Sequence, residues 1–364
     1  MDQRGPYEWT PEEWAALFAD EPAYRVRQLW RGLWDEDRFP DEVATLPRVL
    51  RERAAAAAPR ALRVEREVAS DGGQTVKWVF ALADGATIET VLMGYRDRVT
   101  VCVSTQAGCA MACSFCATGQ AGFRRHLRVG EVLEQVVVAA RAAAPRRVSN
   151  VVFMGMGEPL ANYGVTTRSL RLLHEHRGLS ARSLTVSTVG VVPAIDRLSR
   201  EGLPLTLAVS LHAANDVDRT SLIPLNARYP LDALAAACER WRATTGRRVS
   251  FEWALIDDVN DTARAASELI AFARPLGAHV NLIPLNPTPG YLVRGSDPSR
   301  VSAFRAQLER AGVAVTVRQT RGRSIDAACG QLAAVAGGRR VALRSTRGAS
   351  ALAGLASCTR SRRW

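Results

Sequence analysis

The alternation of short apolar runs with amphipathic stretches is what most limits how this chain of 364 residues can fold. Six runs, VTVCVS, SNVVFMG, SLTVST, LTLAVSL, VSFEWALI and HVNLIPL, have the length and β-branched content of buried strands. Helical patterns at 129–144, 163–176, 231–244 and 262–273 separate them, and a further helix at 300–311 precedes a strand at 313–318. Strand, crossover helix and strand in repetition predict βα units around a parallel sheet, an α/β fold. Polar, glycine-containing words follow the strands. In βα barrels such loops converge on one face, so the Cys109 to Cys116 loop, Gly155 to Pro159, Ser187 with Thr188, Ser210 to His212 and Asn286 are expected to share one mouth. Six strands form a partial (βα)6 barrel, open along one side and suited to a large substrate.

The chain ahead of this region has a different character. Thr10 to Glu13 is a capping box with proline at the first helical position. Further helices are expected at 22–34, carrying Arg25, Arg27 and Arg31, and at 49–58. From Leu62 the period changes to two in LRVEREVA, VKWVFAL and TIETVLM, with turns at Asp71-Gly72-Gly73 and Asp84-Gly85, which predicts a β-meander. The expected organisation is a small helical accessory domain at 1–61, a barrel at 62–336 with the meander as its extension, and a basic tail at 337–364.

Composition narrows the class. With 47% hydrophobic residues the chain can bury a large core. No segment approaches the ~20 apolar residues of a membrane span, and the N-terminus has no apolar leader, so a cytoplasmic protein that makes no use of a membrane is expected. Seven cysteines is an odd number for a disulfide framework. The net charge of +12 suits a surface that meets polyphosphate, although arginine-rich composition and seven arginines in the tail account for part of it.

The loop GCAMACSFCATG places Cys109, Cys113 and Cys116 at C-x3-C-x2-C spacing. Three thiolates hold three irons of a cubane cluster and leave the fourth iron open to bind something else. Structural zinc is the alternative; it wants four ligands, and the nearest fourth candidate is His126.

With Phe115 before its last cysteine, this loop resembles the signature of radical S-adenosylmethionine (SAM) enzymes, whose partial (βα)6 barrel matches the strand count. The words CVSTQAGCAMACSFCATGQAGF, FMGMGEPL, LTVSTVGVVP, SLHA, NLIPLNP and IDAACGQL together resemble the RlmN/Cfr family of RNA adenine methyltransferases. The resemblance implies a 4Fe-4S cluster on Cys109, Cys113 and Cys116. It further implies SAM contacts at Gly157, Glu158, Ser187, Ser210, Leu211, His212 and Asn286. Cys329 matches the residue methylated by a first SAM; a 5′-deoxyadenosyl radical from a second SAM then activates that methyl group. Cys102 matches the residue that resolves the RNA adduct through a disulfide, and Glu89 the proposed proton acceptor. Implied partners are ribosomal RNA, tRNA in some members, and an electron donor such as flavodoxin or ferredoxin, with the enzyme a monomer.

Taken from the residues alone, GMGEP is a tight turn, Ser187 a cap, Asn286 a turn residue and His212 a core histidine. Glu89 sits on an alternating strand where solvent exposure is expected. Met154, Met156 and Cys238 read as core, and Cys358 has no assigned role. The sequence departs from the family at His126, where asparagine is expected, and in the tail. QTRGRSIDAACGQL and the arginine-rich front resemble the carbon-2 branch of the family; the alternatives are the carbon-8 branch, a radical SAM enzyme acting on something other than RNA, and a zinc-stabilised RNA-binding protein.

Overall fold

The computed structural model describes residues 4–286, 288, 293–318, 322, 325–327 and 330–332. Cys329, Cys358 and the tail at 337–364 lie outside the described residues. Three helices open the chain: α1 (Pro11–Leu17), α2 (Tyr24–Trp34) and α3 (Arg48–Ala57). The capping box is present, with Glu13 N donating to Thr10 Oγ1 and Thr10 N to Glu13 Oε2. Tyr7, Trp14, Leu29 and Leu33 from this region are buried in the same apolar core as the barrel strands. The fully buried Glu134 holds the exit of the region, accepting the backbone N–H groups of Ala61 and Leu62 at 2.8–3.0 Å.

The meander follows as β1 (Arg63–Ser70), β2 (Thr75–Ala81) and β3 (Thr87–Gly94), antiparallel to one another. β4 (Val99–Cys102) pairs antiparallel with β3 on one side and begins the parallel array on the other. Next come β5 (Gln106–Gly108), α4 (Ala117–Gln120), β6 (Phe123–His126) and α5 (Val129–Ala143). The βα units proper run through β7 (Asn150–Phe153), α6 (Tyr163–Glu175), β8 (Leu184–Thr188), α7 (Val192–Leu198), β9 (Thr206–Ser210), α8 (Asp216–Leu222) and α9 (Leu231–Thr245). They end with β10 (Ser250–Leu255), α10 (Ala263–Ala273), β11 (His279–Pro284), α11 (Pro298–Arg310) and β12 (Ala314–Val317).

All strands but the β5–β6 pair form one ten-stranded sheet, ordered β1-β2-β3-β4-β7-β8-β9-β10-β11-β12. From β4 onward every neighbour is parallel. The six strands expected from the apolar runs are all there, and the strand expected at 313–318 adds a seventh at the edge. The meander is therefore not an appendage: β3 continues the barrel sheet through β4. Its burial also departs from the alternating pattern, because β2 is buried at every residue and β3 at all but Thr87. One face of β3 meets α5, where Thr90 Oγ1 donates to Gln135 Oε1 at 2.7 Å. The other carries Lys77 of β2, whose Nζ donates to the carbonyl of Asp326 at 3.1 Å. Covered on both faces, β3 buries Glu89 (4% exposed), which corrects the expectation of a solvated carboxylate.

The small β5–β6 hairpin, which the apolar periodicity does not reveal, flanks the cysteine loop. Cys109 N donates to Gly122 O at 2.8 Å, and Gly108, with φ +78°, lies so close to that strand that a Cβ would sit 1.9 Å from Gly122 O. Only glycine permits the crossing. Gly108→Ala is expected to cost at least ~1–3 kcal/mol of stability, read by urea unfolding, because backbone rather than a movable side chain blocks the added methyl.

Candidate active site

A single cavity opens at the C-terminal ends of the parallel strands. Cys109, Cys113 and Cys116 line it from the β5–α4 loop, Gly157 and Glu158 from the loop after β7, Ser187 from β8, Ser210 and His212 from the end of β9, and Asn286 from beyond β11. The expectation that these loops share one mouth is met. Among the described residues Leu211, Cys102 and Glu89 do not line it. Leu211 is fully buried, its N–H donating to Glu252 O and its carbonyl accepting from Arg219. Met156 is core and Met154 lines the cavity. Cys238 is buried on α9, as expected of a core residue.

The glycine word after β7 owes its shape to a close approach. Gly157 has φ +100°, and a Cβ there would meet Gln106 at 2.5 Å. Gln106 Oε1 accepts Glu158 N at 2.8 Å, and its Nε2 lies 3.1 Å from His126 Nδ1. The histidine that departs from the family pattern therefore has a partner in the hairpin. Glu158 itself is buried: Oε1 accepts Leu160 N and Oε2 accepts Val189 N, both at 2.9 Å. Burial pushes its pKa up to about 7 against the pull of these backbone donors. Each oxygen retains lone-pair capacity for a cationic guest.

His212 has φ +58° and is buried against Phe115, the rings edge to face at 4.6 Å. Its Nδ1 accepts Ala254 N at 2.8 Å, so a neutral ring must carry its proton on Nε2. Burial first, and the Arg219 charge second, lower its pKa to about 3. Asn260 locks this arrangement. Its Nδ2 donates to His212 O and Ala254 O at 2.8 and 2.7 Å, while Oδ1 accepts Ile256 N at 2.7 Å.

The cavity fits both an iron–sulfur cluster and a polar ligand. A closed zinc site completes four ligands, whereas three thiols on one loop of the cavity wall suit an iron–sulfur cluster with one iron left open. Burial raises the Cys109 thiol to about 12 and Cys113 well above its ordinary value, so their thiolates would need a metal cation beside them. In the same cavity, both amide atoms of Asn286 are buried without a hydrogen-bond partner among the described residues. Such an amide is costly unless a ligand pairs it.

On the sheet face beside the cavity, register places Lys77, Val91 and Cys102 directly across three strands, with Glu89 diagonal to Lys77 and Cys102. Lys77 Nζ lies 3.5 Å from Glu89 Oε1. The described residues flanking Cys329 reach both regions: Asp326 bonds Lys77, and Gly330 O accepts Ala117 N at 2.8 Å beside the cysteine loop. Sequence reasoning missed Lys77, Gln106, Arg219, Asn260 and Glu252. The last is a cavity carboxylate bonded by Ser250 and Asn281, with a pKa raised by burial. Only Gln106, inside the CVSTQAG word, had a local signal.

Residues 103–269 match the family model described as the Radical SAM superfamily. The chain is 51% identical to a probable dual-specificity RNA methyltransferase RlmN of Frankia alni, over 89% of this chain and 81% of the relative. It is 47% identical to one of the same description from Chloroflexus aurantiacus, over 92% and 93%. The crystal structure of a radical SAM methyltransferase from Sphaerobacter thermophilus superposes with a TM-score of 0.88 at 49% identity, covering 91% of this chain and all of that one.

The histidine lock has a pH signature. With the folded pKa of His212 lowered to about 3 from 6.5, the unfolded chain binds this proton first as pH falls. Its contribution to stability is full above the unfolded value and is lost as pH drops from 6.5 toward 3. His212→Asn, which keeps an acceptor for Ala254 N but does not titrate, is expected to flatten that part of the stability–pH profile in urea unfolding.

Proposed function

The chain belongs to the RlmN family of radical SAM methyltransferases, and we propose that it methylates carbon-2 of an adenine in large-subunit ribosomal RNA, with the adenine beside the tRNA anticodon as a second substrate. The observation that carries this reading is the convergence, in one cavity, of three thiols with a buried amide at Asn286 that has no hydrogen-bond partner among the described residues. Adenine carbon-2 is electron-poor and has no nucleophilic character, so polar transfer from a sulfonium does not reach it. When bound, the cluster supplies the electron that splits SAM and so makes radical chemistry available.

The chain's own residues have distinct roles in this proposal. Cys109, Cys113 and Cys116 hold the cluster. Glu158 and the Gly157 backbone receive the SAM ammonium, a charge-assisted contact. Ser187, Ser210, Leu211, His212 through its Nε2–H, and Asn286 orient the rest of the molecule. Cys329 carries the methyl group, Glu89 accepts the ring proton, and Cys102 attacks the Cys329 sulfur, forming a disulfide as the sulfur–carbon bond breaks and the released carbon takes a proton to become the product methyl. Lys77 bears on this sequence because it touches both Glu89 and the carbonyl of Asp326. Supporting it, the face shared by Glu89 and Cys102 is buried, so a transferred proton is shielded from water.

The target adenine must be unstacked to enter, and the arginines of α2 are the proposed grip on the RNA around it. In this reading residues 1–61 are the accessory RNA-binding domain, 62–336 the catalytic domain and 337–364 a basic extension. The protein acts as a cytoplasmic monomer reduced by a flavodoxin or ferredoxin. Among the described residues no helix is long and apolar enough to cross a membrane.

Anaerobic incubation of the reconstituted protein with SAM, a reductant and protein-free ribosomal RNA is expected to yield 2-methyladenosine by nucleoside mass spectrometry. Cys329→Ala should abolish the product while SAM cleavage persists. 8-Methyladenosine would overturn the carbon-2 assignment, and SAM cleavage without any methylated adenine would overturn RNA as the substrate. Because the N-terminal helices share the barrel's core, their RNA role is better tested by surface charge than by deletion. Arg27→Glu with Arg31→Glu, both exposed on α2, should weaken RNA binding several-fold and reduce its salt dependence, with SAM cleavage unchanged.

A further inference from the structure

Arg219 lies on α8, a short helix whose sequence, DVDRTSL, reads as a solvated surface. In the fold it is 1% exposed. Four hydrogen bonds hold its guanidinium, and every acceptor is a neutral oxygen. Nε donates to Leu211 O at 3.2 Å and Nη1 to Asn226 Oδ1 at 2.7 Å, while Nη2 donates to Val189 O at 2.7 Å and Ser210 O at 3.2 Å. A buried cation is usually held by a carboxylate, because desolvation costs several kcal/mol that carbonyl dipoles offset only in part. Among the described residues no carboxylate pairs directly with Arg219, Asp216 acting on it only from beyond their shared partner Asn226; burial lowers its pKa to about 10, so it stays charged at neutral pH.

The location explains what such a charge could do. The carbonyls it grips belong to the ends of β8 and β9, which line the cavity and meet the cysteine loop through Val189 and His212. On its other side α8 backs the cysteine loop: Ser114 N donates to Leu222 O at 3.1 Å, and Cys113, Phe115, Leu222 and Ile223 pack together in one small apolar cluster.

We propose that Arg219 is a positioning residue that also acts electrostatically. Its buried charge raises the reduction potential of the cluster held by Cys109, Cys113 and Cys116, while its planar fork fixes the strand-end carbonyls that shape the cavity wall. The inference rests on the cluster reading of the cysteine loop. One-electron reduction by an external donor adds negative charge to a group already ligated by three thiolates. A fixed positive charge in a weakly polarisable surrounding favours the reduced form. Arginine suits both roles, because its fork directs several donors at once and its charge survives burial, whereas lysine offers only a flexible point charge.

The test is an anaerobic redox titration of the reconstituted full-length chain, followed by electron paramagnetic resonance, without RNA or SAM. Arg219→Gln keeps amide donors near the carbonyls and removes the charge. At fixed potential its ratio of reduced to oxidised cluster should fall about tenfold, which is ~59 mV for a one-electron couple. Arg219→Lys keeps the charge and loses the fork; its potential should stay near wild type, while its SAM dissociation constant by calorimetry rises about tenfold. An intact cluster with wild-type potential in Arg219→Gln would overturn the proposal. If that variant does not load a cluster, Arg219→Lys decides: a wild-type potential with weakened SAM binding supports the two roles, and a tenfold fall in the reduced fraction refutes the charge-based account. Failure of the cluster reading itself would look different, because the wild-type chain would then take up zinc and show no iron–sulfur spectrum.

Discussion

The site depends on one buried carboxylate. Glu158 spans the loops after β7 and β8 by accepting a backbone N–H from each, and its own N–H is held by Gln106 from the cysteine-loop side. Three segments from different parts of the chain are thereby tied to one side chain. The same device recurs around the rim, where Asn260 fixes His212 and the end of β10, and Arg219 fixes the ends of β8 and β9. Loops carry backbone groups that no sheet or helix satisfies, and burying them requires side chains to complete the hydrogen bonds. Removing one such side chain strands several donors or acceptors, each costing ~1–3 kcal/mol. The loops of the mouth are wired together by these side chains as well as packed.

What the sequence made legible follows from how local each signal is. Strand and helix positions could be read from periodicity because the barrel repeats one local pattern, and the C-x3-C-x2-C loop could be read because all three ligands lie in one turn of chain. Gly157 and Glu158 were found through a contiguous word. Arg219, Asn260 and Lys77 were not, since each acts on backbone or side chains distant in sequence. Asp-Val-Asp-Arg looks like any exposed helical turn, and nothing in it says that the arginine turns inward. Glu89 failed for a related reason: alternation along a strand predicts one wet face only if nothing covers it, and what covers β3 comes from α5 and from the region around Asp326.

The continuous sheet joins two chemical environments. The cavity lies beyond the C-terminal ends of the parallel strands, while Glu89 and Cys102 lie on the face of β3 and β4, where the sheet changes from antiparallel to parallel. β4 belongs to both: its residues pair with the meander on one side and with β7 on the other, and the chain leaving it becomes the cysteine loop. An antiparallel extension added at this edge places a carboxylate and a thiol beside a barrel mouth without disturbing the βα units, whose loops remain committed to the cavity.

The crossing at Gly108 and Gly122 bears on which changes the cysteine loop can tolerate. The loop is bounded by the Cys109–Gly122 backbone hydrogen bond and held to α8 through Ser114 N and Leu222 O. Its three cysteines hang from these two backbone anchors, so the spacing of the thiols and the width of the hairpin are one constraint. A side chain at position 108 would have to part the hairpin strands, and the loop that carries the thiols would shift with them.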